Sequence, residues 1–215
     1  MIRVSQAVDQ IITNDRVAIE AVQRDIFNAS SYARQILPQI EEMTMKEVSF
    51  GTVVVSLNRI IARVKEYPAL TPKVRFTSLN IVDNIVEVTY EKTEEVLKNI
   101  TILQQRSSKS VDYFTLTQGL HEITILCSRE GVEELISNFG TKPKVVISDL
   151  VAISVRFPES YVPVANTIYS LVSILATKHS NIMEIVSTYT ELTFIVYKKD
   201  MEEIIKLLNN HQQSE

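Results

Sequence analysis

The stretch His121-Glu122-Ile123-Thr124-Ile125-Leu126-Cys127 is echoed sixty-nine residues later by Thr190-Glu191-Leu192-Thr193-Phe194-Ile195-Val196. The similarity continues in register, since Val132-Glu133-Glu134-Leu135-Ile136 is matched at the same offset by Met201-Glu202-Glu203-Ile204-Ile205. A strand-like alternation followed by helical spacing therefore occurs twice. Such an internal repeat predicts one small unit present in two copies, and it favours ligand sensing or assembly over catalysis.

The bulk composition is that of a globular chain. With 215 residues, of which 45% are hydrophobic and 22% charged, two or three compact units are expected, and each can bury a core. Disorder is expected only at the ends, chiefly in a C-terminal tail at residues 212–215.

The charge balance argues against nucleic acid or a membrane surface as the main partner. The net charge is −4, and residues 1–67 hold eight basic and eight acidic side chains, so no basic footprint exists. The apolar runs are too short for a membrane span, and the first residues lack a signal-peptide pattern. We therefore expect a cytoplasmic protein without membrane partners.

No residue pattern indicates catalysis, a metal or a cofactor. Cys127 stands alone in an apolar alternation, which predicts a small buried hydrophobe rather than a reactive thiol. His121, His179 and His211 are too scattered for a metal site. The four glycines are too far apart to form a phosphate loop, and the glutamate pairs fit solvated helix faces. Catalytic residues, metal ligands and cofactors are all predicted as none, which leaves an enzyme as a distant third hypothesis.

Residues 1–67 predict a small all-α helical domain. Apolar residues fall at helical spacing from Val4 to about Lys65, with Asn14 and Asn28 as expected N-caps and a kink or break at Pro38. Pro68 and Pro72 then predict a linker over residues 68–72.

Beyond the linker the hydrophobic period changes to that of strands. For a first unit over residues 73–148, the pattern predicts strands at 73–79 and 85–90 with a turn at Asp83-Asn84, a Thr93-capped helix at 94–106, a loop at 107–110, a hairpin at 111–117 and 120–128, a helix at 130–139 and a strand at 144–148.

For a second unit over residues 149–211, the pattern predicts a strand at 151–157, a helix from Val162 or Pro163 to Lys178, a hairpin at 181–188 and 191–197, and a helix at 199–209. Its last strand is missing and would come from another segment, such as the spare strand at 73–79. The fold class is therefore α+β, with two ferredoxin-like βαββαβ units in tandem after the helical domain.

The second unit resembles a known regulatory module. Ser180-Asn181-Ile182-Met183-Glu184-Ile185-Val186-Ser187-Thr188, followed by Glu191-Leu192-Thr193-Phe194-Ile195-Val196, is similar to the second and third strands of the ACT domain in the regulatory part of aspartate kinase. The resemblance covers residues 80–210 and does not extend to a kinase domain. It implies a non-catalytic protein with two ACT units.

In that family an amino-acid effector binds between neighbouring units, where backbone groups of the loop after the first strand and of the start of the second strand hold it. The resemblance therefore implies an effector site in the loop 159–166 and at the start of the second strand, comprising Tyr161, Val164, Asn166, Asn181 and Ile182. The loop lacks the glycine that the family usually has there, so either the ligand differs or this copy is structural. The loop 90–93 of the first copy lacks it too.

The resemblance also implies a homodimer that associates through the ACT sheets. The alternative is a ligand-responsive transcription regulator, in which residues 28–36 and 52–64 form a helix-turn-helix and Arg59, Arg63 and Lys65 face DNA phosphates. The neutral charge of residues 1–67 speaks against it, because phosphate contacts dominate the affinity for DNA.

Overall fold

A computed structural model of the chain describes residues 2–106 and 113–213. The predicted loop at 107–110 and the first residues of the predicted strand 111–117 lie outside the described residues. The chain divides into two compact units, one of Met1–Lys73 with Ala165–Ser170 and one of Val74–Val164 with Leu171–Glu215.

The first unit contains four helices that agree with the helical prediction for residues 4–65. They are α1 (Val4–Asn14), α2 (Arg16–Gln23), α3 (Ala29–Thr44) and α4 (Phe50–Val64). Their buried stripes meet in a core whose fully buried members include Ala7, Val8, Ile12, Ala33, Ile40, Val53, Leu57 and Val64.

The cap of α2 differs from the predicted Asn14. That residue ends α1, where its side-chain amide donates to the carbonyl of Gln10 at 2.7 Å. The Asp15 carboxylate caps α2 instead by accepting from two backbone N–H groups of its first turn, and a charged acceptor suits the positive end of a helix. Asn28 caps α3 as predicted, and α3 continues through Pro38 between the buried Ile36 and Ile40.

The second unit is a six-stranded sheet with helices. Its elements are β1 (Ser78–Glu91), α5 (Glu94–Arg106), β2 (Phe114–Gln118), β3 (Glu122–Ser128), α6 (Arg129–Phe139), β4 (Val145–Arg156), α7 (Thr167–Leu175) from Leu171 onward, β5 (Ile182–Ser187), β6 (Glu191–Tyr197) and α8 (Met201–Gln213). The strand order is β2-β3-β1-β4-β6-β5, and every neighbouring pair is antiparallel.

The internal repeat corresponds to matching elements. Strands β3 and β6 have seven residues each, occupy equivalent positions of the repeat, and are each followed by a helix. We call the end of β1 from Ile85 onward, with α5, β2, β3, α6 and the start of β4, the first half of the sheet. The second half consists of the end of β4 from Leu150 onward, α7, β5, β6, α8 and the start of β1. Strands β1 and β4 therefore belong to both halves.

Each pair of separately predicted strands is one long strand, because the chain bulges and continues where the prediction had one strand end and the next begin. Asn84 in β1 and Asp149 in β4 have left-handed backbone conformations, with φ of 57° and 60°. The register between β1 and β4 shifts at these residues without interrupting the ladder. The predicted unit boundary between residues 148 and 149 thus lies within β4.

The strand that the second half lacked is supplied by the start of β1. Ser78 pairs with Arg156, and the ladder continues to Val82 opposite Ala152. The predicted strand at 73–79 begins only at Ser78, since residues 73–77 are irregular.

The second unit differs from the prediction at two helix ends. Helix α7 begins at Thr167 rather than at Val162 or Pro163, after a 3-10 turn at Glu159–Tyr161. Helix α8 extends to Gln213, so residues 212 and 213 are not part of a tail. The Gln212 side chain holds Phe76 by accepting from its N–H at 3.1 Å and donating to its carbonyl at 2.8 Å.

The helix-covered face of the sheet has one apolar core per half. In the first half the rings of Tyr90 and Phe139 stack at 4.5 Å between centroids, and Cys127 is 2% exposed. Burial raises the pKa of the Cys127 thiol to about 11, which agrees with the predicted buried hydrophobe. In the second half the core is centred on Ile153 and Phe194. No helix in the described ranges is long and apolar enough to cross a bilayer.

Candidate ligand site

The loop that follows β4 is ordered by contacts with its own half. The N–H of Phe157 donates to the carbonyl of Thr190 at 2.9 Å, which ties the loop to the β5–β6 turn. Tyr161 packs against the core of the second half, and its hydroxyl accepts from the backbone N–H of Arg75 at 3.2 Å. Val164 is 39% exposed. The predicted Tyr161 thus anchors the loop, while Val164 faces solvent.

Asn166 explains how this loop forms without glycine. Its φ of 67° lies in the left-handed region, which asparagine adopts more readily than most other residues. Its carbonyl accepts from the N–H of Ser170 at 2.8 Å at the beginning of α7. The backbone conformation that usually favours glycine is therefore present in the loop.

Asn181 and Ile182 lie where β5 begins. Asn181 is exposed, and its side-chain amide contacts the Met183 sulfur at 3.1 Å. Ile182 pairs with Val196 and packs on the core of the second half. The register shifts between Ile182 and Glu184, which marks a bulge, a feature common next to binding sites.

Within one chain, the two parts of the predicted site lie at opposite ends of the second half. Ile182 pairs with Val196, which pairs on its other side with Val151, near the beginning of the second-half part of β4. The loop leaves β4 at the other end, after Arg156, which pairs with Glu191. The six residue-to-residue steps from Val151 to Phe157 span roughly 20 Å of extended chain. The loop residues Tyr161 and Val164 therefore do not share a pocket with Asn181 in the same half.

Lys92 connects the equivalent loop of the first half to the turn between β2 and β3. The N–H of Lys92 donates to the carbonyl of His121 at 2.8 Å, and its ammonium group donates to the carbonyl of Gly119 at 3.1 Å. The Thr93 hydroxyl accepts from the N–H of Val96 at 3.2 Å and caps α5, as predicted. Lys92 thereby ties this loop to the turn between β2 and β3, as Phe157 ties the loop after β4 to the turn between β5 and β6.

Two of the three cations named for DNA contacts are paired within the helical unit. Arg63 forms an ion pair with Asp9, and Lys65 forms one with Asp25. Arg59 is exposed and makes no ion pair with a described residue. Contacts from Arg63 or Lys65 to phosphates would require these pairs to break.

The helical unit also has an open groove of about 500 Å³. It is lined by Gln10, Ile11, Asn14, Asp15, Arg16, Val17, Gln39 and Met43. The Asp15 carboxylate is engaged there by two N–H groups of α2 and by the Tyr32 hydroxyl at 2.8 Å. Among the residues of the described ranges, no three His, Cys, Asp or Glu side chains are grouped so that they could hold a metal ion.

No protein-family model and no curated protein matches this sequence. Solved structures of aspartate kinases share its fold. The ligand-free regulatory subunit from Thermus thermophilus has a TM-score of 0.52 at 9% identity, covering 63% of this chain and 97% of that one. The Clostridium acetobutylicum enzyme has a TM-score of 0.54 at 13% identity, covering 65% and 35%. Escherichia coli aspartokinase III in complex with lysine and aspartate has a TM-score of 0.51 at 16% identity, covering 67% and 35%.

These matches define the class of fold. The matched part of this chain corresponds to 35% of the Clostridium enzyme and to 97% of the Thermus regulatory subunit. The resemblance predicted from residues 180–196 is therefore confirmed, since the chain has the fold of the regulatory part of aspartate kinase.

Proposed function

We propose that this chain is a non-catalytic regulatory protein whose two ACT units bind a small amino-acid-like effector between copies of the chain. The order of elements in each half of the sheet supports the ACT assignment. The main observation behind the proposal is that Tyr161 and Val164 lie at the opposite end of the second half from Asn181 and Ile182, so that one chain alone does not bring them together.

A second copy related by a twofold axis brings the two parts together. Strand β5 is an edge of the sheet, and two β5 strands pairing antiparallel would place the start of one level with the end of the other. Ser187, the last residue of β5, pairs with Leu192, and the neighbouring Glu191 pairs with Arg156, the last residue of β4. The loop after β4 therefore lies next to the end of β5. The loop of one copy would thus approach Asn181 of its partner, giving two equivalent sites per homodimer.

The groups at this junction suit an amino-acid ligand. The exposed Asn181 carboxamide offers both a donor and an acceptor, and Val164 offers apolar surface. Orientation by a few polar groups on an apolar surface is typical of small-molecule sites.

Thermal-shift measurements with each of the twenty amino acids test the proposal. We expect one of them to raise the melting temperature of the wild type, with a stabilisation of about 2.7 kcal/mol at one hundred times its dissociation constant. Asn181→Ala should abolish the shift, because the carboxamide is lost. The matched control is Asn80→Ala, which removes an exposed asparagine from another strand of the same sheet.

Mixed dimers separate a shared site from a site within one chain. Val164→Arg and Asn181→Ala should each abolish binding alone, whereas an equimolar mixture should regain binding at one junction per mixed dimer. No recovery in the mixture, although light scattering shows that the dimers exchange, would contradict a site built from two copies. If no amino acid binds and the chain binds DNA with a steep salt dependence, lost in Arg59→Ala, the transcription regulator replaces this proposal.

A further inference from the structure

The face of the sheet opposite the helices, which we call the inner face, is buried as well. Its apolar centre consists of side chains with 0 or 1% exposure, namely Ile85, Leu126, Leu150, Ala152 and Ile195. These residues come from the four central strands. An open sheet without helices on this face would leave them accessible to water.

The inner face is closed by the two edge strands of the same sheet. Tyr113, immediately before β2, packs in the same cluster as Met183 and Val186 of β5, although β2 and β5 are the first and last strands. The Thr117 hydroxyl of β2 hydrogen-bonds to the Glu184 carboxylate of β5. The sheet therefore curls until its edges meet through side chains.

Two carboxyl groups lie on this closed face. Glu87 of β1 is opposite Ile147, and Glu184 of β5 is opposite Ile195, so the register points both toward the apolar centre. Each has one buried carboxylate oxygen, Oε2, without a hydrogen-bond partner among the described residues. Burying a charged carboxylate oxygen without a partner has a high free-energy cost, and burying a protonated carboxyl has a much lower one.

The surroundings provide no compensating positive charge. Burial raises the pKa of both carboxyls, and the charge of Glu184 raises the pKa of Glu87 further, whereas the Thr89 and Thr117 hydroxyls, which donate to Glu87 and Glu184, lower these pKa values by less. The other titratable groups facing this region are Tyr113, whose pKa burial raises, and Glu191, which accepts from the Ser154 hydroxyl. Within the described part of the chain, no Lys, Arg or His contributes to the pKa of either carboxyl.

We propose that Glu87 and Glu184 form an acid-operated closure of the inner face, in which protonation of the pair holds β2 and β5 together and loss of the protons separates them. The released protons pass to solvent. The remaining negative charges repel each other and draw water into the apolar centre. This device uses neither the loop after β4 nor Asn181, but it moves β5, the strand that pairs in the proposed homodimer.

The direction of the pH dependence follows from the raised pKa values. The stability that the protonated pair contributes is fully present below the usual glutamic acid pKa of about 4.3, and it is lost as the pH rises through the raised folded-state pKa values. Glu87→Gln and Glu184→Gln replace the acid by a neutral isostere. Each variant should therefore melt a few degrees higher than the wild type at pH 8 and no higher at pH 4.

Spin labels at Gln118→Cys and Ser187→Cys, two exposed residues at the ends of β2 and β5, measure the closure directly. Cys127 is buried and should not be labelled. We expect a narrow distance distribution at pH 4 that broadens toward longer distances at pH 8. Adding Glu184→Gln should keep it narrow at both pH values.

Glu122→Gln is the matched control. Its carboxylate is exposed and pairs with Lys144, which lowers the pKa of Glu122, so this variant should gain no stability at pH 8. A wild-type distance distribution that does not change between pH 4 and pH 8 would overturn the proposal. So would a Glu184→Gln variant that broadens as much as the wild type, or one that melts no higher at pH 8.

Discussion

Replacing Phe194 by alanine should lower the free energy of unfolding by about 3–5 kcal/mol, the usual cost of removing a fully buried ring. Phe194 is 0% exposed. It lies in β6 between Ile153 of β4 and Ile185 of β5, and it belongs to the core that α7 and α8 cover. The cavity opens where three strands and two helices meet, so the loss should fall at the high end. Urea unfolding followed by circular dichroism measures it.

Tyr189→Ala is the matched control for this loss. Tyr189 is an aromatic residue of the turn between β5 and β6 and is 67% exposed. Its replacement should change the free energy of unfolding by no more than about 0.5 kcal/mol. If the two variants unfold at the same urea concentration, Phe194 is not at the centre of a cooperative core.

Replacing Phe76 by alanine should cost about 3 kcal/mol, although Phe76 precedes every strand of the sheet. It is 7% exposed and packs with Ile153 and Phe194 in the core of the second half. We expect the loss to be localised: amide exchange should accelerate in β6 and α8 more than in β2 and β3. The reason is that residues 74–82 contribute core side chains and the last strand to the second half and not to the first.

Ile81→Ala is the corresponding control, because Ile81 lies in the same segment and is 44% exposed. Its effect on the free energy of unfolding should stay well below that of Phe76→Ala. Equal acceleration of exchange in β2, β3, β6 and α8 in the Phe76→Ala variant would mean that the two halves unfold as one unit.

The hairpins and closing helices could be predicted because their signals are local. The alternation in β3 and β6 and the helical spacing after them each fit within a short window of sequence. The turn expected at Asp83-Asn84 and the break between the strands predicted at 144–148 and 151–157 were wrong for a non-local reason. A left-handed residue permits either a chain reversal or a bulge, and the long ladder between β1 and β4 selects the bulge.

The candidate site could likewise be predicted only as far as local sequence determines it. A sequence resemblance can name Asn181 and the loop around Tyr161, but their placement at opposite ends of a sheet depends on the register of β6 with both β4 and β5. Glu87 and Glu184 sit in alternating strands, where a polar residue usually indicates a solvated face. Only the curling of the sheet, which has no periodic signature, turns that face inward.

The sharing of β1 and β4 bears on how such a protein can be inherited and recombined. A break between residues 148 and 149 would leave the N-terminal fragment with an unpaired strand start and the C-terminal fragment without its last strand. The two copies of the repeated unit therefore depend on each other for complete strands. A gene fusion or a domain transfer would have to include residues 74–213 together, because both halves of the sheet need β1 and β4.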